Sequence, residues 1–377
     1  MIIGVPKEIK REEYRVSVTP AGAEELVAAG HELLVEAGAG CGSFFADDSY
    51  RLSGAVLVSR EELFERAELI VKVKEPLPQE FVFYRKGQAL FTYLHLAPNR
   101  ELTDFLLKSG VTALAYETLD RNGTLPLLTP MSEVAGMMAP LAAAWSLQKV
   151  RGGCGVLPTG MVGVRPARAL ILGGGTVGFN AARVAVNIGM ETIVLNRSID
   201  RLQRIDELTA GRVRTGTLTA ANIRAELSEA DVVIGAVLVP GGRTPLLITR
   251  EMLAGMKRGA VIVDVSVDQG GCAATTRPTT HDDPAYLLDG IVHYAVANMP
   301  GAYPRTSTLA LTNVTLPYVR LLADQGIEQA IAGSRELASA VNVRGGKIVH
   351  SALAKSFEAD GLDSKEIPFN GDDIVCG

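Results

Sequence analysis

A chain of 377 residues is long enough for about two domains, and 47% hydrophobic against 21% charged residues excludes a disordered protein. A formal net charge of −5 gives no electrostatic footprint for nucleic acid or an anionic membrane surface. The four cysteines, Cys41, Cys154, Cys272 and Cys376, are scattered without metal-ligand spacing, so free thiols in a reducing compartment are expected and no metal site.

The N-terminus, Met1 to Glu8, has too few apolar residues for a signal peptide. The longest small-apolar stretch, Gly136 to Trp145, is about half a membrane span and contains Pro140. A cytoplasmic protein without membrane contact is expected. Up to residue 128 the chain alternates strand and helix signals. Strands are predicted at Ile2–Val5, Glu32–Val35, Leu69–Val73, Ala89–Thr92 and Thr112–Ala115, and helical spacing at Ala21–Ala29 and Glu61–Ala67. This unit has no glycine fingerprint and is assigned to substrate. At Thr129-Pro130-Met131-Ser132 an alanine-rich helix begins, with Ser132 as the expected N-cap.

Ala169–Leu172 then reads as a short, doubly buried strand running into a G-x-G-x-x-G turn (Gly173, Gly175, Gly178), followed by a helical pattern that Gly189 ends. Gly173 permits the tight turn, Gly175 lets a pyrophosphate approach the backbone, and Gly178 lets helix and strand pack closely. Amide groups at the helix start, around Thr176 and Val177, favour an anion. Further buried strands are predicted at Thr192–Leu195, Asp231–Ala236, Ala260–Val265 and Val292–Ala297, and helices from about 305 (Thr312–Asp324, Gly326–Ser334). The expected fold is α/β: two Rossmann-like domains with mostly parallel, doubly wound sheets. A dinucleotide domain (129–304) is inserted into a substrate domain (1–128 and 305–377), with the C-terminal helices packing back on the first segment.

In such sheets ligands bind at the carboxyl ends of strands. Lys74, in Lys72-Val73-Lys74-Glu75-Pro76, and His95, in Tyr93-Leu94-His95-Leu96, sit at two such ends. A lysine there can hold a carboxylate or polarise a carbonyl, and a histidine can carry a proton near neutral pH. Each has an alternative: Lys74 as a solvated strand end, His95 as a hydrogen-bonded, half-buried histidine. Asp268 ends a strand in the dinucleotide domain, facing the nicotinamide or simply capping the loop before Gly270 and Gly271. Val265, Val267, Val296 and Ala297 lie at strand ends of the same domain and are candidates for cofactor contact.

Several long stretches resemble the alanine dehydrogenase family. They include Arg15-Val16-Ser17-Val18-Thr19-Pro20, Val71 to Pro76, Phe91 to Leu96, Pro130 to Gly136, Gly235 to Gly241, Val267 to Cys272, and Val296 through Pro304-Arg305-Thr306-Ser307-Thr308 to Asn313. The resemblance implies reversible oxidative deamination of L-alanine to pyruvate and ammonium, with hydride passing to a nicotinamide, NAD or NADP. It implies that Arg15 and Lys74 hold the substrate, that His95 is the acid/base and that Asp268 is its partner in handling water and ammonia. It places Ser132, Val237, Leu238, Arg277, Asn298 and Met299 along the cofactor. It also implies a closed homo-oligomer, commonly a hexamer.

At the end of the second strand of the dinucleotide domain, where the family usually has an acidic residue for the adenosine ribose, this chain has Asn196, followed by Arg197-Ser198-Ile199-Asp200-Arg201. A neutral Asn196 would not repel a 2′-phosphate, and Arg197 and Arg201 could grip one, so NADP is an expected cofactor. Alternatively the arginines are surface charge beside a tolerated change. Two other functions stay open: an NADPH-dependent synthase joining pyruvate to the side-chain amine of ornithine, and a non-catalytic nucleotide-binding module like the soluble part of a transhydrogenase.

Overall fold

The computed structural model describes residues 1–237 and 244–359. Leu238 and the rest of the Val239-Pro240-Gly241 stretch lie outside the described residues, as does Cys376. The described residues form two compact units, one within residues 1–130 and 301–359, the other within residues 131–237 and 244–300.

The first unit contains β1 (Ile2–Val5), β2 (Glu32–Glu36), β3 (Val56–Val58), β4 (Leu69–Val71), β5 (Ala89–Thr92) and β6 (Thr112–Ala115). The second contains β7 (Arg168–Leu172), β8 (Glu191–Asn196), β9 (Arg214–Thr217), β10 (Val232–Gly235), β11 (Val261–Asp264), β12 (Ala285–Leu288) and β13 (Ile291–Tyr294). The chain then returns to the first unit for β14 (Val341–Arg344) and β15 (Lys347–Ile348). The first sheet runs β15-β14-β6-β5-β4-β1-β2-β3 and the second β12-β13-β11-β10-β7-β8-β9. Numbered within each unit, the six parallel strands of both sheets take the doubly wound order 3-2-1-4-5-6. The strand order reverses between β1 and β4 in one unit and between β7 and β10 in the other, and at such a reversal a doubly wound sheet opens for ligand. The α/β class read from the alternating pattern is the observed one.

The central strands are apolar on both faces because helices cover both. Leu69, Ile70 and Val71 of β4, and Val232, Val233 and Ile234 of β10, are all buried. The edges differ from the sequence reading. β9 is polar and mostly exposed, β12 pairs antiparallel with β13, and the hairpin β14–β15 adds antiparallel to β6 where only helices were expected. Edge strands need only one buried face and therefore lack the apolar run that marks a central strand.

Two helices also depart from expectation. Ser132 is not an N-cap, because the helix already begins at Thr129 and spans Thr129–Ser146. Pro130 falls in its first turn, where a missing N–H costs nothing. The C-terminal helix starts at Pro304 rather than near 312 and runs unbroken to Gln325 through Pro317. Among the described residues, no helix is long and apolar enough to cross a membrane.

Candidate active site

In the first unit the substrate candidates follow strands on both sides of the reversal: Arg15 after β1, Lys74 after β4 and His95 after β5. Arg15 is 2% exposed, and its guanidinium forks onto Glu13, with Nε to Oε1 at 2.7 Å and Nη2 to Oε2 at 2.5 Å. Burial alone would lower its pKa, but Glu13 more than offsets this, so Arg15 stays cationic. Lys74 is buried, and its backbone is held on two sides. Its N–H donates to Glu8 Oε1 at 3.2 Å, and its carbonyl accepts from the Thr92 hydroxyl at 3.0 Å. The same Glu8 carboxylate accepts the Val73 N–H at 2.7 Å and pairs with the fully buried Lys72 at 3.2 Å, which in turn reaches Glu80 at 2.8 Å. Burial raises the Glu8 carboxyl, against the pull of Lys72.

His95 is exposed and adopts a left-handed backbone at φ 47°. Glu117 holds it there: one carboxylate oxygen accepts the His95 N–H at 2.6 Å and the Leu94 N–H at 3.1 Å. The His95 ring stacks on Tyr93, with centroids 6.0 Å apart and planes at 13°. The Tyr93 hydroxyl donates to the Leu127 carbonyl at 2.5 Å. Burial pushes the Tyr93 phenol up while Arg15 pulls it back, so the phenol stays protonated beside the cation. The unit thus presents two cations and an imidazole in the segments after β1, β4 and β5: Glu13 holds the Arg15 guanidinium, Glu8 the Lys74 backbone, and Glu117 and Tyr93 the His95 backbone and ring. Glu13, Glu117 and Tyr93 were missed in the sequence. Only Tyr93 carried a signal, its place in Tyr93-Leu94-His95.

In the second unit the expected cofactor residues gather at the carboxyl ends of β7, β8, β10, β11 and β13. The glycines divide their roles. Gly173 has φ 105°, and a Cβ there would lie 2.6 Å from the Ala236 carbonyl oxygen. A Cβ at Gly178 would lie 1.8 Å from the Gly173 oxygen, an impossible contact, so only glycine lets the helix Thr176–Asn187 sit this close to β7. At Gly175 a Cβ meets only the Arg201 guanidinium at 3.7 Å. Gly175 is also the N-cap and supplies no side chain to the helix start, whereas Ser198 and Thr219 cap their own helices. The space at Gly175 and the amides of Thr176 and Val177 fit a dinucleotide pyrophosphate.

Asn196, at the end of β8, is buried and bonded through both amide atoms: Oδ1 accepts the Gly174 N–H at 3.0 Å and Nδ2 donates to the Ser198 carbonyl at 3.1 Å. Arg197 and Arg201 are exposed. Val237 follows β10, and Val265, Val267 and the exposed Asp268 lie in the turn Val265–Gln269 after β11. Val296, Ala297, Asn298 (φ 61°) and the buried Met299 follow β13. Arg277 stacks on Tyr286 at 4.1 Å, and its segment is tied to the β13 end by Thr279 N–H to Ala295 O at 2.9 Å. Ser132 sits one helical turn before Gly136, on the same face, and a Cβ at Gly136 would lie 2.4 Å from the Val177 oxygen.

Residues 4–135 match the family described as "Alanine dehydrogenase/PNT, N-terminal domain" and residues 139–351 match "Alanine dehydrogenase/PNT, C-terminal domain". The chain is 51% identical to an alanine dehydrogenase of Halomonas elongata over 97% of its length and 100% of that protein. It is 49% identical to one of Bacillus subtilis over 94% of each. Among solved structures, an L-alanine dehydrogenase superposes with a TM-score of 0.92 at 47% identity, over 95% of this chain and 99% of that one. A transhydrogenase from Sinorhizobium meliloti superposes with a TM-score of 0.80 at 25% identity, over 93% and 100%.

Proposed function

The chain belongs to the alanine dehydrogenase/PNT family, and from that premise we propose that it catalyses the reversible oxidative deamination of L-alanine. L-Alanine, water and NAD(P)⁺ give pyruvate, ammonium, NAD(P)H and a proton. The observation that carries this reading is the trio Arg15, Lys74 and His95 in the segments that follow β1, β4 and β5 of the first sheet. Arg15 and Lys74 hold the carboxylate and carbonyl of the α-keto acid. Because Glu13 fixes the Arg15 guanidinium and Glu8 the Lys74 backbone beforehand, less orientation is lost on binding. His95, kept in place by Glu117 and Tyr93, moves the proton to and from the substrate oxygen or nitrogen. Asp268 handles water and ammonia. The bound dinucleotide supplies the hydride acceptor for oxidation and the donor for reduction. Gly173, Gly175, Thr176, Val177 and Gly178 would cradle its pyrophosphate, and Val237, Val265, Val267, Arg277 and Val296–Met299 would line it.

The finer cofactor reading is that NADP(H) is accepted. Supporting it are the neutral Asn196, committed to Gly174 and Ser198, and the Arg201 guanidinium beside Gly175. The expected assembly is a homo-oligomer, a hexamer by resemblance. It is supported by the strongly exposed apolar side chains of Leu157, Met161, Val162 and Val164 around one turn.

Initial rates with pyruvate, ammonium and NADH or NADPH test the reading. Turnover with ammonium is expected. Turnover only when ornithine replaces ammonium would assign the amine-joining synthase instead, and no turnover with either would leave a nucleotide-binding module.

A further inference from the structure

The loop that carries Asp268 is tied at both ends to one carboxylate. Asp264, the last residue of β11, is 1% exposed. Its Oδ1 accepts the Ser266 N–H at 3.1 Å, and its Oδ2 accepts the Cys272 N–H at 2.8 Å and the Thr276 hydroxyl at 2.6 Å. Between these anchors the chain makes the turn Val265–Gln269 and reverses through Gly270 and Gly271, at φ 98° and 77°. The Gly271 N–H closes the loop on the Ser266 carbonyl at 3.1 Å. Asp268 stands exposed at its crown.

Room for the carboxylate comes from β10. A Cβ at Gly235 would lie 2.4 Å from Cys272 Sγ and 2.9 Å from Asp264 Oδ1. Ser266 extends the arrangement to the neighbouring strand end, because its hydroxyl donates to the Val237 carbonyl at 2.7 Å. One buried carboxylate therefore sets the turn that carries Asp268 and, through Ser266, the strand end at Val237, which the proposed function assigns to chemistry and cofactor.

We propose that Asp264 is a positioning residue that fixes Asp268, a role that rests on the assignment of Asp268 above. The residue type follows from the donor count. A carboxylate only accepts, and its two oxygens serve the two N–H groups, the Thr276 hydroxyl and the neighbouring Cys272 thiol. The amide of asparagine has a single accepting oxygen and would turn two N–H donors onto groups that also donate. Breaking this clamp lets the loop shift, and a displacement of about 1 Å at a reacting group costs on the order of 10²-fold in rate.

The test uses the full chain with pyruvate, ammonium and NADH. Asp264→Asn is expected to lower kcat about 10²-fold while changing the KM for pyruvate less than about threefold, since Arg15 and Lys74 are untouched. Thr276→Val, which removes one donor, should give a smaller loss in the same direction, and Thr276→Ser should restore the rate. If Asp264 acts through Asp268, adding Asp264→Asn to Asp268→Asn should cost little more than Asp268→Asn alone. Wild-type kcat in both folded Asp264→Asn and Thr276→Val, with Asp268→Asn impaired, overturns the positioning role alone. Fully multiplicative losses do the same, because they make Asp264 a support of the fold and not of Asp268. An unimpaired Asp268→Asn overturns the catalytic reading, and the positioning role with it. Should Asp264→Asn fail to fold, the Thr276 pair decides.

Discussion

His95 shows how much a single residue depends on its neighbours. The left-handed backbone at φ 47° is uncommon for a residue other than glycine, and the Glu117 carboxylate holds it through two backbone amides. If the imidazole carries the proton, His95→Ala should reduce kcat about 10²–10⁴-fold and leave the Kd for NADH, read by fluorescence titration, near wild type. A rate within a few-fold of wild type would move the acid/base elsewhere. Asn196, Arg197 and Arg201 set a second prediction, read as kcat/KM for NADPH against NADH. Arg197→Ala or Arg201→Ala should weaken NADPH selectively by about 5–150-fold, the worth of a charge-assisted contact of about 1–3 kcal/mol. Asn196→Asp should shift preference toward NADH by repulsion; an unchanged ratio in all three variants would make the arginines surface charge. A third concerns Glu75. Burial raises its carboxyl, but Lys74, Lys10 and His95 more than offset that and hold it below its ordinary value. A depressed folded-state pKa contributes stability that is present above the unfolded value of about 4.3 and lost as pH falls through the folded value. The Tm gap between wild type and Glu75→Gln should therefore be widest near pH 7 and close below about pH 4; a gap unchanged at pH 3 would mean that the charge does not stabilise.

The glycine turn and its helix form an element whose geometry at Gly173 and Gly178 follows the sequence reading. Gly178 is dictated by a carbonyl, because a Cβ would lie 1.8 Å from the Gly173 oxygen and the helix Thr176–Asn187 would have to move off β7. Gly178→Ala is expected to cost about 1–3 kcal/mol through overpacking, seen as a lower Tm. It should also weaken NADH at least about tenfold by displacing the helix start from the pyrophosphate. An alanine variant with wild-type Kd would show that the amides are not what holds the cofactor. This element was legible because its signal is local: a strand, a turn and a helix within about twenty residues. The Lys74 strand end was only half legible. Lys72-Val73-Lys74 announces cations, but nothing nearby says that Lys72 is buried between Glu8 and Glu80, or that Glu8 also binds the Lys74 backbone. β9 and the β14–β15 hairpin were not legible at all. Their pairing depends on the strand beside them, as Val341 does on Leu114, and not on an apolar run of their own.

At the scale of the whole molecule, two units each build their own sheet and core around the same strand order. If the second unit binds dinucleotide only when folded, NADH at about 100 times its Kd adds about 2.7 kcal/mol and should raise the Tm by several degrees. Scanning fluorimetry that shows no shift would remove the cofactor assignment. The sequence alone determined the α/β class, the glycine turn, the strand ends near Lys74, His95 and Asp268, and the family resemblance that singled out Arg15. Each is written in contiguous residues, where hydrophobic period, glycine spacing and motif order survive without a partner. Only the tertiary structure decided that both sheets share one order, that antiparallel edges complete them, and that Glu13 pairs with Arg15, Glu117 and Tyr93 contact His95, and Asp264 ties the turn that carries Asp268. Those roles exist only where a buried donor finds its acceptor or one strand finds another, and the partners that satisfy a buried polar group are chosen by the fold and not by spacing along the chain.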